Sequence, residues 1–260
     1  MVTAHGGRGI AVRTDHTEPE QVQALIEQIR AEQGRLDVLV NDVWGGDALT
    51  EWTKKFWEHS LEKGLLMLQR GIHSHIITAR FAAPLMVEKG SGLIIEITDG
   101  DNYGYRGTLY YDLVKTTLIR LAFDMAKELR PHGVTALALT PGFLRSEEML
   151  EHFGVAEENW RDGAQKDAHF IASETPYFVG RAVAALAADP EIMNKSGRVY
   201  SSWGLSDEYG FIDIDGNRPH WGRYFAQTFK TPYLICDDEF YRYWNNGMMD
   251  SFFAEGGAII

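Results

Sequence analysis

Cysteine is nearly absent. Cys236 stands alone among 260 residues, so no disulfide can close within the chain, a pattern that suits a reducing, cytoplasmic setting. Basic charge is scarce: 25 Lys and Arg face 37 Asp and Glu, and the net charge of −12 opposes binding to nucleic acid or to an anionic membrane surface. No apolar run approaches the roughly 20 residues that a membrane-spanning helix needs. The opening Met1-Val2-Thr3-Ala4-His5-Gly6-Gly7 has no basic patch followed by an apolar core, so no signal peptide is expected. Internal repeats and low-complexity stretches are missing. His73 and His75 diverge on a predicted helix, so no metal site is expected. What is there is a mix of 45% hydrophobic and 24% charged residues, that of a globular chain acting on small molecules or proteins.

Apolar periodicity divides the chain into alternating strands and helices. Gly9-Ile10-Ala11-Val12 reads as a buried strand. Thr17-Glu18-Pro19-Glu20 predicts a helix start, with Thr17 as cap, and Gly34 ends that helix. Leu36 to Val40 is a second strand, and a long helical region follows from Trp57 to Lys89 with a break near Gly71. Leu93 to Thr98 is a strand, Leu109 to Leu129 a strong helix, and Val134 to Leu139 the next strand. A long loop from Phe143 to Ala172 precedes a helix opened by Thr175-Pro176, and Gly197 to Tyr200 is the last strand. The apolar residues of that loop, among them Leu144, Phe153, Trp160 and Phe170, suggest a lid over an apolar substrate. Strands alternating with helices predict an α/β fold with a doubly wound parallel sheet covered on both faces. The division expected is a Rossmann-like domain over residues 1–204 and an aromatic-rich C-terminal extension over 205–260, packed on the same domain or on a partner.

Tyr111 and Lys115 lie one helical turn apart, on one face of the strong helix. A phenol beside an ammonium has its ionised form favoured, which makes it a usable acid or base near neutrality. Thr98 ends one strand and Pro141-Gly142 follows the next, with Ser146 further on; Asn41 and Asp15 end two earlier ones. Ligands of doubly wound sheets bind at these carboxyl ends.

With those residues in that order, the chain resembles the short-chain dehydrogenase/reductase family. The resemblance is carried by Asp15, Leu36-Asp37-Val38-Leu39-Val40-Asn41, Gly92-Leu93-Ile94-Ile95-Glu96-Ile97-Thr98, Tyr111-x-x-x-Lys115, Pro141-Gly142-Phe143-Leu144-Arg145-Ser146 and Ser196-Gly197-Arg198. It implies an NAD(P)-dependent oxidoreductase moving hydride between nicotinamide and a small, apolar carbonyl or alcohol substrate. Tyr111 would exchange the proton with the substrate oxygen, Lys115 would hold the ribose hydroxyls and lower the Tyr111 pKa, and Thr98 would hydrogen-bond the substrate carbonyl. Asp15 would lie near adenine and Asn41 near the adenosine ribose, with Pro141, Gly142, Leu144 and Ser146 along the nicotinamide. A homo-oligomer is implied too.

The sequence departs from the family pattern in places. No glycine cluster follows a strand and opens a helix at the front, so the fold expected is N-terminally truncated, without the pattern's first two strands. Gly71 stands where the pattern has a catalytic asparagine, Asp99 replaces a second serine beside Thr98, and Asn41-Asp42-Val43-Trp44 is a loose version of Asn-Asn-Ala-Gly. An inward-pointing Asp99 opposes tyrosinate formation. These changes motivate an alternative, a catalytically inactive relative serving as a binding or assembly subunit.

Overall fold

The structure is a computed structural model that describes residues 2–230 and Tyr241. Four parallel strands, β1 (Val38–Asn41), β2 (Gly92–Ile97), β3 (Val134–Thr140) and β4 (Val199–Ser201), pair in the order β1-β2-β3-β4. Val38 pairs with Leu93, Gly92 with Val134 and Ala138 with Val199. Side chains alternate across the pleat, which sorts each strand's apolar residues to two faces. On one face Leu93, Ile95, Leu137 and Leu139 meet Ala182 and Leu186 of α6 (Pro176–Ala188) and Leu205 of α7 (Ser202–Tyr209). On the other, Ile94, Val134 and Ala136 meet Met86 of α3 (Ser74–Lys89) and Ala126 and Leu129 of α4 (Leu109–Leu129). Burial of each such Leu, Ile or Met is worth about 1.5–3 kcal/mol, so the doubly wound arrangement follows from strands that are apolar on both sides. Helix α1 (Pro19–Gln33) packs Val22 and Ile26 on Ala82 and Leu85 of α3.

Local signals explain most boundaries. Gly34 and Gly90 end α1 and α3 in the left-handed conformation, at φ of 70° and 72°. The long helical region resolves into α2 (Leu61–Leu68), a π-helical turn at Gln69–His73 and α3, with the widened turn centred on Gly71 as the pattern predicts. Ser60 caps α2 by accepting the Lys63 N–H, so Trp57–Ser60 lies outside the helix.

Three expectations are corrected. Thr17 does not cap α1. Its N–H and hydroxyl both donate to Asp15 Oδ1, at 2.9 and 2.7 Å, because a carboxylate two residues back is the stronger acceptor. Gly9–Val12 is not a strand: Ile10 and Val12 are exposed, and among the described residues its backbone pairs with no strand, none lying at the outer edge of β1 to receive it. The Phe143–Ala172 segment is not a structureless lid. It forms α5 (Glu147–Phe153) and two 3-10 turns around its own core of Phe153, Trp160 and Phe170, joined by Phe143, Met149, Leu150 and Val155. These side chains pack on one another, while Ile171 stays exposed.

Helix α7 runs through residue 204, and Leu205 is fully buried in the sheet core. Beyond it, α8 (Trp221–Phe229) sets Trp221 edge-on to Phe143, and the Tyr241 hydroxyl accepts the Val199 N–H at 2.9 Å. Cys236 and the tail aromatics Tyr233, Phe240, Tyr243, Trp244, Phe252 and Phe253 lie outside the described residues. No helix among the described residues is long and apolar enough to cross a membrane.

Candidate active site at the carboxyl ends of the strands

Strand β2 ends at Ile97, and the next two residues reach the first turns of α4. Thr98 is buried and donates its hydroxyl to the Lys115 carbonyl at 2.6 Å. Asp99 Oδ2 accepts the Tyr111 hydroxyl at 2.8 Å. The Lys115 ammonium stands over the Trp44 ring, 4.0 Å from its centre, and 5.5 Å from the centre of the Tyr111 ring. It makes no hydrogen bond or ion pair to any described side chain, so its N–H donors are open. Trp44 meets Tyr111 edge-on at 5.6 Å, and the exposed Trp52 leans on the same ring at 4.9 Å.

The electrostatics reverse one expectation. The Tyr111 phenol is pushed up, out of the ordinary range, by burial first and then by Asp99. Asp47 adds to this and Arg106 opposes it weakly. Asp99 holds the phenol hydroxyl directly, whereas Lys115 stands off the ring face, so the carboxylate dominates the phenol's surroundings. Lys115 is itself pushed down by burial, against the pull of Asp99, Asp47 and Asp42. Asp42 is pushed up by burial. The pair expected to favour tyrosinate instead keeps the phenol protonated, because the second serine of the pattern is a carboxylate that points inward. The buried Thr98 hydroxyl satisfies its proton on the Lys115 carbonyl in this structure.

Trp44 owes its place to two glycines. A β-carbon at Gly46 would fall 2.4 Å from the indole, and one at Gly71 would fall 3.2 Å from it and 2.6 Å from Val114. The loop carrying Trp44 is pinned from beneath. His75 Nε2 donates to the Val43 carbonyl at 2.9 Å, while its Nδ1 meets Glu96 Oε2 at 2.5 Å with one proton held between them. Asn41 Nδ2 donates to Glu96 Oε1 at 2.8 Å. Asn41, His75 and Glu96 are all buried, so the Asn41 amide is committed to Glu96. This network joins β1, β2 and α3, and such long-range pairing leaves no mark in local sequence.

Asp15 lies apart from Tyr111 and Lys115. It is exposed on the rim of a cavity of about 870 Å³ bounded by residues 13–17, Trp44, Gly45 and Arg70. Neither Tyr111, Lys115 nor Asp99 lines that cavity, and Trp44 is the partition between the two halves. The Asp15 carboxyl is held below its usual range by the Thr17 hydrogen bonds.

At the end of β3, the Gly142 N–H donates to Glu174 Oε2 at 2.9 Å, and Ser202 Oγ donates to the same oxygen at 2.7 Å. Pro141 precedes Gly142 at this strand end, its carbonyl accepting the Thr140 hydroxyl. Glu174 is buried, with Oε1 unpartnered, and burial pushes it up to about 8. Leu144 bridges to Glu174 through the backbone, which fixes the loop after β3. Ser146 caps α5 by accepting the Met149 N–H, so its hydroxyl serves that helix. Between them, Arg145 has a fully buried side chain that donates to Glu157, Asp215 and Ser173 and lies on the Trp160 ring at 4.0 Å. Sequence reasoning missed Glu174, His75 and Glu96. For Glu174, a lone carboxylate just before the Thr175-Pro176 helix start was the available signal.

The parallel sheet and its helices are those of a Rossmann-like α/β protein. The pattern describing the short chain dehydrogenase family matches residues 1–155. The chain is 37% identical over 216 residues to dehydrogenase/reductase SDR family member 1 of Homo sapiens, spanning 81% of this chain and 69% of that protein. It is 29% identical over 182 residues to a 3-oxoacyl-[acyl-carrier-protein] reductase of Synechocystis, spanning 66% of this chain and 72% of that protein. In fold it matches a solved structure of ElxO with NADP bound, at a TM-score of 0.62 and 22% identity, over 73% of this chain and 75% of that one. The chain belongs to the short-chain dehydrogenase/reductase family.

Proposed function

We propose that the chain is an NAD(P)-dependent oxidoreductase acting on a small carbonyl or alcohol, with Tyr111 exchanging the proton at the substrate oxygen. The observation that carries the reading is the Tyr111 phenol beside a Lys115 ammonium whose donors are open, at the strand ends where ligands of such sheets bind. Those open donors fit the ribose hydroxyls of a nicotinamide cofactor. Pro141 and Gly142 would flank its nicotinamide, and the cavity beside Asp15 would take the adenosine part. When bound, the cofactor supplies or accepts the hydride. Tyr111 and Lys115 orient the substrate oxygen and the ribose, while Trp44, Trp52 and the carboxylates of Asp42, Asp47 and Asp99 favour a neutral over an anionic substrate. The names of two relatives, the 3-oxoacyl reductase and a cyclohexanol dehydrogenase of Rhodococcus, support a carbonyl or alcohol substrate. Exposed Leu61, Leu65, Ile76 and Leu113 on α2, α3 and α4 support a homo-oligomer, and a cytoplasmic setting rests on the single cysteine.

A second reading, a binding or assembly subunit without catalysis, draws on Trp44 capping Lys115 and on Gly71, where the family pattern has an amide. Titration with NADH and NADPH, followed by nicotinamide fluorescence, separates the two. Saturable micromolar binding that Lys115→Ala weakens, with carbonyl or alcohol turnover that Tyr111→Phe abolishes, is expected. No binding at millimolar cofactor, or full turnover by Tyr111→Phe, removes the first reading.

A further inference from the structure

We infer that Asp99 is the terminal proton acceptor of this site, drawing the proton of a substrate alcohol through Tyr111, so that the site is built for oxidation of an alcohol. The inference rests on the oxidoreductase reading above. It begins from a geometric fact: the Tyr111 hydroxyl donates to Asp99 Oδ2 at 2.8 Å. A phenol whose proton already points at a carboxylate presents its oxygen lone pairs, not its hydrogen, to whatever binds beside it. Such an oxygen accepts a proton from an alcohol at the moment it hands its own to the carboxylate.

The step balances. The alcohol O–H bond breaks and its proton forms a new O–H bond on Tyr111. The original phenol O–H breaks and its proton joins Asp99 Oδ2. The hydride leaves the carbinol carbon for an oxidised nicotinamide, and the carbon–oxygen bond becomes a carbonyl. Tyr111 is neutral before and after, so no tyrosinate forms beside a carboxylate. Burial and Asp99 both disfavour that anion. Asp99 itself is only half-buried, so the proton it gains can pass to solvent.

No other group serves. The charged groups around the pair are Asp47 from the turn after β1, Asp42 at the end of β1, Arg106 and Asp112 at the start of α4, and Lys115. Arg106 and Asp112 engage each other, at 3.8 Å, and the Asp112 carboxylate also accepts the Arg106 backbone N–H. Lys115 stands over the Trp44 ring and is not hydrogen-bonded to the phenol among the described residues. Thr98 is bound to the Lys115 carbonyl, and Gly71 has no side chain where the helix could offer a polar route. Asp99 alone among the described carboxylates hydrogen-bonds the phenol.

The test uses Asp99→Asn, which keeps an acceptor for the phenol but cannot take its proton, and Asp99→Ser as a second variant. The first readout needs no cofactor. The ¹³Cζ resonance of Tyr111, identified by its loss in Tyr111→Phe, is followed against pH. Ionisation is expected at a pH lower by about one unit or more in both variants. The second readout is oxidation of cyclohexanol with NAD and NADP between pH 6 and 10. The unaltered chain is expected to work at neutral pH. In the variants the rate at neutral pH falls at least tenfold, because the phenol has lost the group that takes its proton. An unmoved Tyr111 resonance, or pH–rate curves that superpose, overturns the role of Asp99 while leaving Tyr111→Phe to judge the oxidoreductase reading separately. Full turnover by Tyr111→Phe, or no cyclohexanol oxidation by the unaltered chain, overturns the inference through the reading it rests on.

Discussion

Glu174 shows how one buried carboxyl links the loop after β3 to the start of α7 after β4. Its Oε2 receives Gly142 and Ser202, and its Oε1 receives nothing among the described residues. Burial raises it from 4.5 to about 8, and the nearby Asp213 adds to the shift. The folded chain therefore holds a proton that the unfolded chain releases near 4.5. The resulting stability is fully present below that value and is lost as pH rises to about 8, a span worth roughly 5 kcal/mol. Glu174→Gln, which keeps the acceptor and cannot ionise, is expected to flatten that decline. Thermal melts of the two proteins between pH 5 and 8.5 would check it, and parallel slopes would refute the assignment. Residues of this kind were the least legible in the sequence. The Tyr111-x-x-x-Lys115 spacing was readable because both residues belong to one helix. The partners of Asn41, Asp99 and Glu174 come from distant segments, and only folding brings them together.

At the scale of elements, the π-turn between α2 and α3 exists to let three things meet: the helix pair, Val114 of α4 and the Trp44 indole. A methyl group at Gly71 would sit 2.6 Å from Val114 Cγ1. Gly71→Ala should gain up to about 1 kcal/mol of helix propensity and lose about 1–3 kcal/mol to overpacking. The net effect is expected to be destabilising, read as a lower denaturation midpoint. Val114→Ala should cost less in the Gly71→Ala background than alone, because it vacates the contested space. Additive effects would show that the two sites do not touch. The helices and the four core strands were legible because hydrophobic periodicity reports on each element by itself. The Gly9–Val12 strand was misread for the complementary reason: an apolar run states a preference for burial, and a strand also needs a neighbour to pair with. The Phe143–Ala172 segment escaped because its aromatic residues follow no period and close on one another in short turns.

Among the described residues, burial is concentrated on β2 and β3, which have strands on both sides and helices on both faces, while Val40 of β1 is exposed at an edge that no described strand covers. Hydrogen exchange should follow this gradient. Amides of β2 and β3 are expected to exchange slowest and those of residues 8–14 within the dead time. Protection of residues 8–14 comparable to β2 would mean that another strand covers the edge. The net charge of −12 and the carboxylates around Lys115 fit the neutral substrate proposed above. The Arg145 cluster has a consequence for anyone remodelling this protein. Because the guanidinium reaches Glu157 within the 143–172 segment and Asp215 far along the chain, that segment is not a cassette. A chimera that imports the segment from a relative must import the residue 215 loop as well, or it will leave a cation buried beside a missing counterpart.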